Sequence, residues 1–81
     1  MSIITERIEG KNISVEINSA NLSSATYNTE SKDLSIVFKN NSIYEYSKVP
    51  WDVFTKFRMT ESQGKFFTTN IKNNYAFKKV K

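Results

Sequence analysis

The sequence contains no cysteine and no histidine. Without cysteine it can form no disulfide and offers no thiolate nucleophile. Without histidine, imidazole zinc sites, Ser–His and Cys–His nucleophiles and histidine general bases are excluded. An enzyme would have to work with Asp, Glu, Lys, Tyr, Ser or Thr, and no pair of carboxylates stands at a useful spacing. The sequence therefore predicts a protein without catalytic activity, metal or cofactor.

Glycine, proline and long apolar runs are also scarce. Two Gly and one Pro in 81 residues are too few for a linker-rich or disordered chain, so we expect one small folded domain with a thin core. No apolar run approaches the ~20 residues that cross a bilayer. The first ten residues, MSIITERIEG, lack the basic start and apolar core of a signal peptide. These observations predict a cytoplasmic protein with no membrane partner.

Lysine is abundant. The net charge is +4, from ten Lys and two Arg against eight acidic residues. Such an excess is typical either of a solvated surface or of a protein that binds an anion, such as nucleic acid or a nucleotide phosphate. Nine Asn and many Ile, together with the lysines, indicate an AT-rich genome, and a bacteriophage is one source with such a genome.

The N-terminal segment predicts a hairpin. Residues 3–8 and 13–18 alternate as strands, and Gly10-Lys11 between them fits a type II′ turn in which Gly10 has a positive φ. The resulting register pairs Ile8 with Ile13, Glu6 with Val15 and Ile4 with Ile17. The alternative is a frayed N-terminal arm. In either case we expect residues 1–16 to be distinct from a domain at 17–81.

Further strands are expected at residues 21–27, 34–38 and 43–47, with the last strand at 76–80. A two-residue loop at Asn40-Asn41 would place Tyr44 and Tyr46 on the face opposite Phe38. A three-residue loop, Asn40-Asn41-Ser42, would pair Phe38 with Tyr44 and leave the large side chains on one face. We favour the second loop, which makes the tyrosines core residues; on the opposite face they could form a base-stacking platform.

Two short helices are expected between the fifth and the last strand. Pro50 fits the first position of a helix whose core stripe is Val53, Phe54 and Phe57. Ser62 fits the N-cap of a second helix, with a stripe at Phe67, Ile71 and Tyr75. The predicted fold is therefore α+β: a small antiparallel β-sheet of about 4–6 strands, two short consecutive helices packed on one face, and a final short strand.

An ordered set of residues resembles the KTSC domain, a short module that occurs at the C-terminus of some lysyl-tRNA synthetases and also alone in bacteria and phages. The set is Ser19, Leu22, Tyr27, Leu34-x-Ile36-x-Phe38, Tyr44-x-Tyr46, Val49-Pro50, Ser62-x-Gly64, Phe67, Ile71 and Tyr75. The chain departs from the family at Asn40-Asn41, where Gly is usual, and residues 1–16 lie outside the module. The resemblance implies a small α+β domain, for which RNA binding has been suggested on circumstantial grounds.

The turn between the two helices is the strongest candidate for a phosphate site. A helix N-terminus exposes unpaired N–H groups, so the candidates for phosphate or nucleic-acid binding are Arg58, Ser62, Gly64, Lys65, Asn70 and Lys72. Trp51 and Phe66 are candidates for base stacking. The structural alternative is that Ser62 only caps the helix, Gly64 only permits close packing, and Trp51 is a half-buried lid.

We therefore expect a small basic nucleic-acid-binding module, with RNA favoured over DNA as the partner. One alternative is a phage-encoded interaction or inhibitor protein that acts on a host enzyme or defence factor in the host cytoplasm. Another is a protein that binds a nucleotide phosphate at Ser62 to Gly64. A thin core and exposed strand edges are also compatible with a homodimer.

Overall fold

The computed structural model describes residues 2–81, with side chains described from residue 5 onward. Six antiparallel strands form one sheet in the order in which they occur along the chain. They are β1 (Ser2–Glu9), β2 (Asn12–Asn18), β3 (Leu22–Asn28), β4 (Leu34–Phe38), β5 (Ile43–Tyr46) and β6 (Phe77–Lys79). Helix α1 (Trp51–Met59), helix α2 (Gln63–Phe66) and a π-helical turn (Phe67–Ile71) connect β5 to β6. The predicted α+β architecture is confirmed.

The N-terminal hairpin forms as expected near its turn. Gly10 has a φ of +60°, and Ile8 pairs with Ile13. Farther from the turn the register shifts, so that Ile3 rather than Ile4 pairs with Ile17. The predicted third pair was therefore wrong, because a bulge adds one residue to β1. Strand β2 continues the sheet by pairing with β3, whereas the division of the chain at residue 17 stays a prediction.

The loop between β4 and β5 differs from the predicted one by one residue. The N–H of Phe38 donates to the carbonyl of Ser42 at 2.9 Å, and Ile36 pairs with Tyr44. The three-residue loop is therefore residues 39–41, and Asn41 takes the left-handed conformation, with a φ of +70°. The predicted pairing of Phe38 with Tyr44 was wrong by two residues. A shift of two preserves the face, and the tyrosines lie on the side of Ile36 as expected.

The two faces of the sheet have different chemistry. The face covered by the helices, which we call the inner face, carries the apolar core. Opposite it, Ser14, Thr26, Ser35 and Glu45 occupy neighbouring register positions, and the hydroxyls of Ser14 and Thr26 lie 3.2 Å apart. This division is typical of an antiparallel sheet with one solvated face. The buried apolar residues are Ile13, Val15, Ile17, Leu22, Ala25, Tyr27, Leu34, Ile36, Tyr46, Val49, Phe54, Phe57, Phe67 and Ile71.

Helix α1 follows the predicted pattern. Phe54 and Phe57 are fully buried and Val53 packs against them half-buried. Pro50 stands one position earlier than predicted, at the N-cap with extended backbone angles, and the helix begins at Trp51. The Pro50 carbonyl still accepts from the N–H groups of Val53 and Phe54. None of the helices within residues 2–81 is long and apolar enough to cross a membrane.

The second helix changes its winding midway. Ser62 is its N-cap, and its hydroxyl accepts from the Lys65 N–H at 3.3 Å, as predicted. From Phe67 the backbone widens to a π-helical turn, in which the N–H of Lys72 donates to the Phe67 carbonyl. Phe67 and Ile71 are buried, but Tyr75 lies beyond the helix and only half-buried. The π-helical turn was not predicted.

Gln63 joins the two helices from inside the core. It is fully buried, and its Nε2 donates to the carbonyls of Thr60 at 2.8 Å, Phe57 at 3.3 Å and Arg58 at 3.4 Å. The last carbonyls of a helix have no partner within the helix, so this one amide satisfies the C-terminal end of α1. Its Oε1 is buried and accepts no hydrogen bond from the described residues.

We expect Gln63→Leu to lower the free energy of unfolding by about 1–2 kcal/mol. The substitution leaves the carbonyls at the end of α1 without a donor, and removal of the unpaired Oε1 offsets part of that loss. Urea denaturation measures the difference. Glu61→Gln, at an exposed neighbouring position, is the control and should change the value by less than about 0.5 kcal/mol. A Gln63→Leu variant as stable as this control would contradict the role assigned to the amide.

Candidate functional site

A groove of about 630 Å³ opens on the inner face, between the π-helical turn and strands β3 to β6. Its floor and walls come from segments that are far apart in the sequence. The residues that line it are Ala20, Asn21, Leu22, Phe38, Lys39, Asn40, Ser42, Tyr44, Tyr46, Gly64, Phe67, Thr68, Lys72, Asn73 and Phe77. The groove lies within the size range of small-molecule pockets and combines aromatic, amide and lysine side chains.

Five aromatic rings form one connected cluster in the groove. Phe67 lies edge-on to Phe38 and to Tyr46, with ring centroids 5.5 and 5.4 Å apart. Phe77 contacts Tyr44 at 5.7 Å and Tyr46 at 5.4 Å. Phe77 is 55% exposed, whereas Tyr46 is buried. The groove therefore presents an exposed ring that packs against one buried and one half-buried tyrosine.

The hydroxyl of Tyr46 stays neutral in this environment. Burial raises the pKa of Tyr46, and the neighbouring Tyr44 raises it further. The folded state thus favours the uncharged phenol, since the phenolate would be desolvated beside a second titratable ring. The neutral Tyr46 phenol does not oppose the approach of an anion to the groove.

Lysines accumulate around the groove. The last 20 residues contain five lysines and no acidic residue, whereas the first 61 contain seven basic and eight acidic side chains. Lys39 and Lys72 line the groove, and Lys79 pairs with Tyr44 across the strands. The backbone of Lys81 bonds to β5. None of the described residues that line the groove is acidic, so the charged side chains of this lining are the two lysines.

Gly64 has a steric reason to be glycine. A Cβ at this position would lie 2.9 Å from the Ser19 hydroxyl oxygen, closer than van der Waals contact allows. Ser19 is itself buried, and its oxygen accepts from the Asn21 N–H at 3.3 Å. The glycine therefore lets α2 approach the entry to β3, and it lines the groove at the same point.

Arg58 is already engaged, on the opposite side of the molecule. Its guanidinium pairs with Glu6 of β1 at 3.0 Å and lies 5.0 Å from the Phe54 ring centroid and 5.2 Å from that of Trp51. Strand β1 is at the sheet edge farthest from β5 and β6. Trp51 is 47% exposed and packs against Tyr27. Arg58 thus fastens the N-terminal hairpin to α1, Trp51 packs on β3, and both lie outside the groove lining.

The other predicted site residues are scattered around the helices. Lys65 is exposed and its N–H completes the Ser62 cap, while Phe66 packs on Phe57 with ring centroids 6.2 Å apart. Asn70 is exposed, and its carbonyl accepts from the Asn74 amide at 2.7 Å. Of the eight predicted positions, the structure brings Gly64 and Lys72 together in the groove.

Several groove residues had no functional role in the sequence interpretation. The sequence predicts Lys39 and Asn40 only as turn residues, and Phe77 only as part of a last strand. The run Lys39-Asn40-Asn41-Ser42 does carry a signal, because it is long and polar beside an aromatic strand. No pattern in the sequence indicates that Phe77 lies opposite Tyr46. In the part of the chain that the structure describes, no cluster of acidic side chains could hold a metal ion.

Comparisons with known proteins agree with the fold. A family model described as KTSC domain matches residues 18–75. The crystal structure of a KTSC domain protein from Yersinia pestis superposes with a TM-score of 0.81 at 26% sequence identity. The match covers 86% of this chain and 99% of that one. No curated protein matches the sequence significantly.

Proposed function

The chain belongs to the KTSC domain family, and we propose that it is a small nucleic-acid-binding module that holds single-stranded RNA in the groove. The observation that carries the proposal is the meeting of exposed aromatic surface and lysines in one groove whose described lining has no acidic residue. Proteins that bind single strands combine these two elements, a basic groove along the backbone and aromatic side chains for the bases.

The aromatic side chains offer the stacking surface. Phe77 is exposed and is supported by Tyr44 and Tyr46, so an unpaired base can lie on a ring that is held in place. Such stacking contributes about 1–3 kcal/mol per base and depends little on which base is stacked. A base in a duplex is stacked on its neighbours and would have to be extruded first, which favours single strands.

The lysines offer the contacts to phosphate. Lys39 stands in the loop after β4 and Lys72 follows the π-helical turn, so the two approach the groove from different walls. A backbone that passes between them would also meet Lys79 beside Tyr44. Ser42 and Asn73 add hydroxyl and amide groups to the lining. Such groups can bond a ribose 2′-hydroxyl, which supports RNA over DNA.

The proposal is tested by fluorescence anisotropy with a labelled single-stranded RNA octamer and its DNA counterpart. We expect RNA to bind at 50 mM salt and to bind more weakly at 200 mM. Lys39→Gln/Lys72→Gln should weaken RNA binding about tenfold or more at low salt and reduce the steepness of the log–log salt dependence by about 1.4, because two phosphate contacts are lost.

The matched control is Lys56→Gln/Lys65→Gln, which removes the same charge from exposed positions on the two helices. This pair should keep at least half of the wild-type affinity. It also tests the site predicted at the turn between the helices, since Lys65 belongs to that turn. Absence of RNA binding at low salt would overturn the proposal. An equal loss of RNA affinity in both double variants would show that the groove is not the binding surface.

A further inference from the structure

The open edge of strand β1 is complementary to itself, and we infer that two copies of the chain pair along it as an antiparallel dimer. Strand β1 ends the sheet, and no further strand lies beyond it within residues 2–81. Ile8, close to its C-terminal end, is 65% exposed although its side chain is aliphatic. An unpaired edge of this kind is where the strand of another molecule can add to a sheet.

The hairpin turn determines which backbone groups of β1 face the open edge. The turn has two residues, Gly10-Lys11, so Glu9 and Asn12 are the hydrogen-bonded pair that closes it. Hydrogen-bonded and non-hydrogen-bonded pairs alternate along an antiparallel ladder, which puts Ile8 at a non-hydrogen-bonded position. The N–H and C=O of Ile8 therefore point away from β2, and they can bond to the same groups of Ile8 in a second copy.

The charges beside Ile8 are arranged for this pairing. Arg7 and Glu9 lie on the face opposite the inner face, since Arg7 pairs with Ser14, and they form an ion pair within the chain at 3.5 Å. In an antiparallel dimer centred on Ile8, Arg7 of each copy lies opposite Glu9 of the other. The four side chains then form a charge square in which every neighbour has the opposite sign, and such cross-strand pairs are stabilising.

Other registers bring like charges together. With Arg7 at the two-fold axis the two guanidinium groups would be directly opposite, and with Glu6 there the two carboxylates would be. Glu6 is also already engaged by Arg58 of its own chain at 3.0 Å. Farther toward the start of β1, the bulge interrupts the strand. The register centred on Ile8 places two aliphatic side chains opposite each other on the inner face, beside the buried Ile13.

This pairing leaves the groove open in both copies. Strand β1 and the groove strands β5 and β6 lie at opposite edges of the sheet, so the dimer has one groove at each end. The new ladder is short, because Gly10 of the turn lies opposite Glu6 and the strand ends there. We therefore expect a weak, reversible dimer of the kind that small interfaces form.

Sedimentation equilibrium of the purified chain from about 10 µM to 1 mM tests the inference, since weak dimers form in this range. We expect a monomer–dimer equilibrium. Arg7→Glu makes the charge square wholly acidic and Glu9→Arg makes it wholly basic, so each should weaken dimerisation by about tenfold or more. Lys56→Glu and Glu61→Arg make the same changes of charge at exposed positions on and after α1 and should leave the equilibrium unchanged.

Two combinations of these substitutions should recover the dimer. The double swap Arg7→Glu/Glu9→Arg restores a square of alternating charge and should dimerise as the wild type does. A mixture of the Arg7→Glu chain and the Glu9→Arg chain should form a heterodimer, because an acidic strand then faces a basic one.

The backbone part of the pairing is tested separately. Ile8→Pro removes an N–H that the hairpin does not use, and proline is tolerated on an edge strand. The variant should remain folded by circular dichroism and be monomeric. If it does not fold, the charge variants at exposed positions still decide the question.

The outcomes bear on different parts of the inference. A wild-type chain that is monomeric at every concentration overturns it and leaves RNA binding in the groove untouched. A dimer that persists unchanged in both charge reversals and in Ile8→Pro overturns β1 as the interface. A wild-type dimer whose two charge-reversed chains fail to associate when mixed overturns the register centred on Ile8.

Discussion

Phe54→Ala should lower the free energy of unfolding by about 3–5 kcal/mol, the range for an aromatic side chain deleted from a core. Phe54 is fully buried between the sheet and α1. Its ring stacks on Tyr27 with centroids 4.5 Å apart and lies beneath the guanidinium of Arg58. A domain of this size has a total stability of about 4–12 kcal/mol. The deletion should therefore remove a large part of it and loosen the N-terminal hairpin that Arg58 holds.

Urea denaturation followed by circular dichroism measures the change. Phe77→Ala is the matched control, because the same group is removed from a ring that is 55% exposed; it should cost less than about 1 kcal/mol. If Phe54→Ala is too unstable to give a folded baseline, Phe54→Leu tests the same core position. We expect it to lower the free energy of unfolding by about 1–2 kcal/mol. Equal losses at positions 54 and 77 would contradict the core assigned here.

The contrast between Phe54 and Phe77 shows which part of the fold can be predicted from the sequence. Phe54 and Phe57 have helical spacing after a proline, and Leu34, Ile36 and Phe38 alternate as in a strand. These local patterns predicted the sheet, the two helices and most of the core. Phe77 stands in a short basic segment without such a pattern, and its contacts with Tyr44 and Tyr46 depend on which strand pairs with β6.

The loop after β4 shows the limit of local propensity. Asn40 and Asn41 both tolerate the left-handed conformation, so the residues alone do not decide where the loop ends. Tertiary packing decides it, because Tyr44 must lie beside Phe38 and opposite Ile36 on the inner face. The π-helical turn has a similar origin. Phe67 and Ile71 recur as in an ordinary helix, and their spacing contains no signal for the extra residue.

The groove was harder to foresee from the sequence than the fold, for a physical reason. The predicted residues form a local run, whereas the groove combines β3, the loop after β4, the π-helical turn and β6. Long-range contacts also engage one of the predicted site residues, since Glu6 pairs with Arg58 from more than 50 residues away. The excess of lysines is visible in the composition, but only the fold places Lys72 in the groove lining and Lys79 opposite Tyr44.

Tyr27→Phe should lower the free energy of unfolding at pH 7 by about 2 kcal/mol. The Tyr27 hydroxyl is buried and donates to the Val49 carbonyl at 2.6 Å. Without it, that carbonyl remains buried with no donor, which costs about 1–3 kcal/mol. The same bond positions the chain just before Pro50, where α1 begins, so the variant should also fray the start of that helix.

The effect of Tyr27→Phe should depend on pH in one direction. Burial, and then the nearby Asp52 carboxylate, raise the pKa of Tyr27 above its ordinary value of 10.0. A raised pKa in the folded state means that the stabilisation is complete below about pH 10 and is lost as the pH rises through the folded-state pKa. Because phenylalanine does not titrate, wild-type and Tyr27→Phe stabilities should converge in alkaline solution.

Urea denaturation at pH 7, 9, 10 and 11 tests this convergence, with Tyr46→Phe as the comparison. The pKa of Tyr46 is also raised by burial and then by Tyr44. Tyr46→Phe should therefore also reduce the loss of folding stability in alkaline solution. A gap between wild type and Tyr27→Phe that widens above pH 10 would show that the folded state favours the phenolate, contrary to the buried bond to Val49.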